Sequence, residues 1–119
     1  SLLNAHLGLK KKERAYQARR LHEIMQSISE RNQMPACLGG DMNEWWLNTQ
    51  LFKRLDQTYR QLRTGRSFPS HLPLFKLDRL WTSPELRVNH CDLLTDKDYR
   101  HYSDHLAVKM DFEINLPTE

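Results

Sequence analysis

The feature that most constrains this chain is a double change of period in its first third. Leu2-Leu3-Asn4-Ala5-His6-Leu7 is a short, mostly apolar run, the length of a buried strand ending near His6. From residue 10 to residue 28 the pattern becomes helical. Ala18, Leu21, Ile24, Met25 and Ile28 recur at spacings of three and four, with Lys11, Arg19, Glu23, Gln26 and Glu30 on the other side. Asn32 and Pro35 stop the helix, and Pro35-Ala36-Cys37-Leu38-Gly39-Gly40-Asp41 is a second short apolar run that meets two glycines and then an acid. Strand, amphipathic helix, strand is the order of a β-α-β unit, so an α/β fold is expected.

The rest of the chain supplies more of the same layers. Leu47, Leu51, Phe52, Leu55 and Leu62 predict a second helix, broken by Thr64-Gly65-Arg66. Phe75 to Trp81 reads as a strand closed by Thr82-Ser83-Pro84, and Leu86-Arg87-Val88 begins another. The clearest strand is the last one, where Leu106, Val108, Met110, Phe112 and Ile114 alternate strictly with Ala107, Lys109, Asp111, Glu113 and Asn115. At 119 residues, with no repeat or long linker, residues 1–119 are expected to form a single domain. No run of about 18 apolar residues is present to span a bilayer.

Charge is asymmetric. Residues 1–36 carry seven Lys or Arg against three Asp or Glu, residues 37–83 seven against four, and residues 84–119 four against eight. The net charge of +3 suits a polyanionic substrate, but it is also ordinary for solubility. Cys37 and Cys91 are too few and too far apart for a disulfide framework or a clustered zinc site, and they favour a reducing, cytoplasmic setting.

Four polar sites stand at the end of an apolar strand or inside one: His6, Asp41-Met42-Asn43, Asp78 and Ser103-Asp104-His105. Singly, each has an ordinary structural use as a core histidine, a turn and helix cap, an edge-strand acid or a strand opening. In this order they are more specific. Gly40-Asp41-Met42-Asn43, Leu77-Asp78-Arg79-Leu80-Trp81 and Ser103-Asp104-His105 resemble the second half of the endonuclease/exonuclease/phosphatase superfamily, the deoxyribonuclease-I-like fold. Asn4-Ala5-His6-Leu7 is similar to that family's Thr-His-Leu strand end, with Ala5 in place of Thr. Arg66-Ser67-Phe68-Pro69 and Arg100-His101 look most like uncharacterised bacterial members.

The resemblance implies half of a four-layer α/β sandwich: one mixed sheet with two main helices on its outer face. It implies a metal-dependent phosphoesterase in which Asp41 orients or deprotonates the attacking water and Asn43 bonds the phosphate or that water. His105 would stabilise phosphoryl oxygens with Asp78 on its other ring nitrogen, and His6 would assist the leaving group. Asp104 would be a metal-side carboxylate for Mg²⁺, or alternatively Mn²⁺. These roles suit phosphoryl transfer, which needs positioning and charge stabilisation more than covalent chemistry.

The implied substrate is a phosphodiester from a nucleic acid, a phospholipid or an inositol phosphate; residues 67–75 are expected to be the specificity loop, and Trp45 and Trp46, just after Asn43, to pack in the core, stack a base or meet lipid. The family pattern also has a Gln-Glu strand end whose Glu is the principal metal ligand. No counterpart precedes His6, so the chain is expected to be a C-terminal half that is inactive by itself and either self-associates or pairs with the N-terminal half. The competing expectation is a non-catalytic module holding an anionic polymer or membrane surface through Lys10-Lys11-Lys12, Arg14, Arg19 and Arg20.

Overall fold

A computed structural model describes residues 1–31, 33–46, 49–62, 64–96, 101 and 103–114. Strand β1 (Leu2–His6) leads into helix α1 (Lys11–Gln26), which closes in a π-helical turn over Ser27–Arg31. Strand β2 (Cys37–Asp41), helix α2 (Lys53–Thr58) and the short strand β3 (Arg60–Gln61) follow. The chain continues with β4 (Asp78–Thr82), β5 (Leu86–Leu93) and β6 (Val108–Ile114). A four-stranded mixed sheet has the order β1-β2-β4-β3, with β1 parallel to β2 and the other pairs antiparallel. The last two strands pair with each other as a separate antiparallel sheet, with a bulge between Val88 and His90.

Both helices pack on one face of the four-stranded sheet. Ala18 and Met25 of α1, and Phe52, Leu55 and Tyr59 in and around α2, close over Leu38 and Trp81 of the central strands. Met25, Leu38, Met42 and Trp81 are fully buried, and burying a side chain of this size contributes about 1.5–3 kcal/mol. Phe52 and Trp81 lie 5.1 Å apart, and the Trp81 indole N–H donates to Asp56 at 2.8 Å. The π-helical turn is braced by Ser29, whose hydroxyl donates to the Met25 carbonyl at 2.8 Å and lies 3.0 Å from the Tyr59 hydroxyl.

The second helix is shorter than its apolar spacing predicts. It ends at Thr58 because Tyr59 turns extended and Arg60 and Gln61 pair with Thr82 and Trp81, giving β4 a partner on that side. Leu62 is buried as predicted, but it reaches the core from beyond β3, its N–H donating to the Leu80 carbonyl at 2.9 Å. The strand expected from Phe75 begins at Asp78, and Phe75 instead bridges Phe68 across the preceding turn. Asn32, Leu47, Arg100 and Asn115 lie outside the described residues.

Gly40 shows why the site's strand carries two glycines. Its φ is +144°, and a Cβ there would stand 1.9 Å from the Ala5 carbonyl oxygen. Only glycine lets β1 lie this close to β2.

Candidate active site

Three of the polar residues form one row across the sheet. His6 is the in-register partner of Asp41 on the parallel side, and Asp41 is the partner of Asp78 on the antiparallel side. All three stand at the same end of the sheet, His6 and Asp41 closing their strands and Asp78 opening its own. Alternation sends Asp78 and Leu80 to one face of β4, and Arg79 and Trp81 to the face covered by the helices.

His105 reaches this row from another part of the chain. Leu106 is buried and its N–H donates to the Ser67 carbonyl at 2.7 Å, while Ser70 donates from its N–H to the Asp104 carbonyl and from its hydroxyl to the Ser103 carbonyl, both at 2.7 Å. Residues 103–106 are thereby fastened to the loop before β4. The imidazole Nδ1 then lies 2.7 Å from Asp78 Oδ2, and its Nε2 lies 3.5 Å from Asp41 Oδ2. His6 Nε2 lies 3.5 Å from the same Asp41 oxygen and is largely open to solvent. The Ser67 hydroxyl donates to Asp78 Oδ2 at 2.6 Å. The result is a connected series: Ser67, Asp78, His105, Asp41, His6.

The electrostatics follow from that series. Burial opposes charge on His105, but the hydrogen bond to Asp78 and the negative charges of Asp78, Asp41 and Asp104 outweigh it and raise the pKa above the ordinary imidazole value. The two carboxylates thus favour the charged form of the ring beside an acid that can orient water.

Asn43 and Asp104 are placed differently. Asn43 adopts a left-handed backbone (φ 49°), its N–H donates to Asp41 Oδ1 at 2.9 Å, and its side-chain amide donates to the Leu7 carbonyl. It braces Asp41 and ties the loop after β1 to the loop after β2. Asp104 is exposed, with the Ser103 hydroxyl 3.5 Å from its carboxylate. Among the described residues, no group of three or more His, Cys, Asp or Glu could hold a metal ion. The described residues are therefore short of a magnesium site by themselves, since that ion is held by carboxylate oxygens with water and substrate phosphate.

Sequence reasoning missed the residues that hold the site's frame. Ser67 belongs by its sequence to the loop and to the Arg66-Ser67-Phe68-Pro69 run, and nothing in its local pattern links it to an acid eleven positions later. Arg14, assigned by pattern to a basic outer face, is instead buried. Its guanidinium donates to the carbonyls of Gly8 and Leu9 and lies 3.9 Å from Glu44. Arg20 is likewise engaged, 2.5 Å from Glu23. Arg79 is buried with its guanidinium 5.0 Å over the Phe52 ring and donates to the Trp46 carbonyl at 3.2 Å. Burial lowers its pKa, and Glu44 and Asp56 partly offset that. Beside the site, Phe68 stands 4.9 Å from the His105 ring, and Trp45 packs edge-on against Phe68 and Phe75.

The chain matches no protein-family model. It is 26% identical over 115 residues to the Escherichia coli strain K12 protein named Uncharacterized protein YbhP, covering 92% of this chain and 44% of that protein. It thus spans less than half the length of the curated relatives it matches. Among solved structures, it is similar to the mannosyl-6-phosphatase Bt3783 of Bacteroides thetaiotaomicron, with a TM-score of 0.76 and 21% identity over 95% of this chain and 51% of that one. An endonuclease/exonuclease/phosphatase family protein of the same organism gives a TM-score of 0.73 and 22% identity over 93% and 49%. The human Nocturnin catalytic domain gives 0.69 and 21% over 93% and 45%.

Proposed function

From the premise that this chain carries one half of the endonuclease/exonuclease/phosphatase fold, we propose that it supplies the aspartate and histidine side of a phosphoester-hydrolysing active site. The observation that carries this reading is the placement of both His105 ring nitrogens, one on Asp78 and the other toward Asp41, above a cross-strand row that ends in His6. Asp41 orients or deprotonates the attacking water. His105, whose charged form its two neighbours favour, stabilises the phosphoryl oxygens, and Asp78 fixes the ring with Ser67 behind it. His6, exposed at the edge of the row, assists the leaving group. Asn43 holds Asp41 and the two loops in place.

Magnesium belongs to the proposal and not to this chain alone. Asp104 offers one exposed carboxylate, and the principal ligand comes from the other half of the fold. When bound, the ion would neutralise charge on the phosphate. The substrate class is a phosphodiester of a nucleic acid, a phospholipid or an inositol phosphate.

The other half also has a place to sit. A cleft of about 460 Å³ runs between the open face of the four-stranded sheet and β6, lined by Leu2, Leu3, Leu80, Leu106, Met110 and Phe112. The complementary half, or a second copy of this chain, would cover it.

The test is a fusion of this chain to the part of the Escherichia coli relative that it does not span. Hydrolysis of bis(p-nitrophenyl) phosphate that needs Mg²⁺ and disappears in Asp41→Asn supports the proposal. A folded fusion with no such activity, or with activity indifferent to Asp41, counts against it.

A further inference from the structure

Three loops leave the sheet at the end where the site lies: residues 7–10 after β1, 42–46 after β2 and 67–77 before β4. The pairing forces this, because β1 and β2 are parallel and β4 runs against them. The outer parts of these loops expose large apolar side chains. Leu9 is 79% exposed, Trp46 77%, Leu72 60% and Leu74 50%. Burying them in the fold would be worth more than a kcal/mol apiece, so their collection on one rim calls for an explanation that scattered surface residues do not.

The loops are tied to one another. Trp45 packs its ring on Phe75 at 4.6 Å and on Phe68 at 5.6 Å. Phe68 and Phe75 close the turn that bears Leu72 and Leu74, with the Leu74 N–H donating to the Phe68 carbonyl at 3.0 Å. On its other side, Trp46 shares a cleft with Lys11 and Arg14 at the start of α1. Lys10, Lys11 and Lys12 are all exposed there, directly after Leu9. Apolar tips therefore border the site together with Lys11, which exposed Lys10 and Lys12 flank in sequence.

We infer that this rim is a docking surface for an anionic lipid bilayer. A tryptophan has an apolar ring and a polar N–H and settles at the level of the headgroups, leucines enter the acyl boundary, and lysines are attracted by anionic lipid. A single-stranded nucleic acid would engage Trp46 and the lysines by stacking and charge. It would leave Leu9, Leu72 and Leu74 unexplained, because an aliphatic side chain has no π face on which a base stacks. Docked this way, the chain turns the Asp41 and His105 site toward the headgroup layer. The inference stands on the rim alone and does not need the hydrolase reading.

The test is sedimentation of the fusion described above, in which the open sheet face is covered, with vesicles of phosphatidylcholine, with or without phosphatidylglycerol, together with tryptophan emission. Binding to the anionic vesicles with a blue-shifted emission is expected. Trp46→Ala combined with Leu72→Ala should weaken it by at least about tenfold. Changing Lys10, Lys11 and Lys12 together to Ala, on a separate element, should weaken it by about a hundredfold. A chain that stays in the supernatant with anionic vesicles overturns the inference. So does undiminished binding in either variant, or capture of a single-stranded oligonucleotide by a chain that ignores the vesicles.

Discussion

Asp41 and Asp78 are direct partners across the antiparallel strands β2 and β4, and a single imidazole, His105, links one oxygen of each. Two acids side by side repel each other, and a cation between them relieves that repulsion. The pair also gives the ring a fixed orientation, because the short contact of 2.7 Å is to Asp78 and the longer one of 3.5 Å is to Asp41. Asp78 thus makes the close contact that orients the ring, while Asp41 Oδ2 sits at the longer distance from both His105 and His6.

His105 should titrate above an ordinary histidine, and Asp78→Asn should bring its pKa down, since burial then acts with less opposition. Because the folded value is raised, the charged ring stabilises the fold fully below the unfolded value of about 6.5, and this contribution is lost as pH rises through the folded value. An NMR titration of the imidazole C–H signals checks it, and a curve identical in the variant would speak against the contact.

Ser67→Ala removes the 2.6 Å donor behind Asp78 and leaves that carboxylate with fewer bonds. The expected cost is about 1–3 kcal/mol of unfolding free energy, measured by urea titration. A change within about 0.3 kcal/mol would show that solvent replaces the hydroxyl at no cost.

Gly40→Ala should destabilise the protein by well over the roughly 1 kcal/mol that a tolerated Gly→Ala change gains, because the new methyl would meet the Ala5 carbonyl oxygen. Separation of β1 from β2 would also withdraw His6 from Asp41. Thermal unfolding followed by circular dichroism reads the effect, and an unchanged midpoint would contradict the register described.

Glu44→Ala leaves the buried Arg14 guanidinium without its acid, at an expected cost of about 3–5 kcal/mol. Glu23→Ala, opposite the exposed Arg20, should change stability by no more than about 0.5 kcal/mol. Equal losses in the two variants would remove the assigned role of Arg14 in holding the loops after β1 and β2.

What could be read from the letters was what has a period or a position. The apolar run of β1, the alternation of residues 106–114 and the three-and-four spacing of α1 expose themselves in one dimension, as do the acids at strand ends. The end of α2 did not, because it is decided by the demand of β4 for a hydrogen-bonded neighbour, a tertiary event. Arg14 was misplaced for a related reason: an arginine on a helix is ordinarily solvated, and only the carbonyls of Gly8 and Leu9 with Glu44 make its burial possible. The separation of β5 and β6 into their own sheet was equally invisible, since strand patterns state which face is apolar and not which edge is joined.

Asp41 and His105 are expected to act as one unit on a phosphoester. In the fusion described above, with bis(p-nitrophenyl) phosphate and Mg²⁺, Asp41→Asn and His105→Ala should each lower kcat/KM by at least about a hundredfold, and the double variant should lose little more than either alone. Losses that multiply in the double variant, or a rate that survives either substitution, would contradict it.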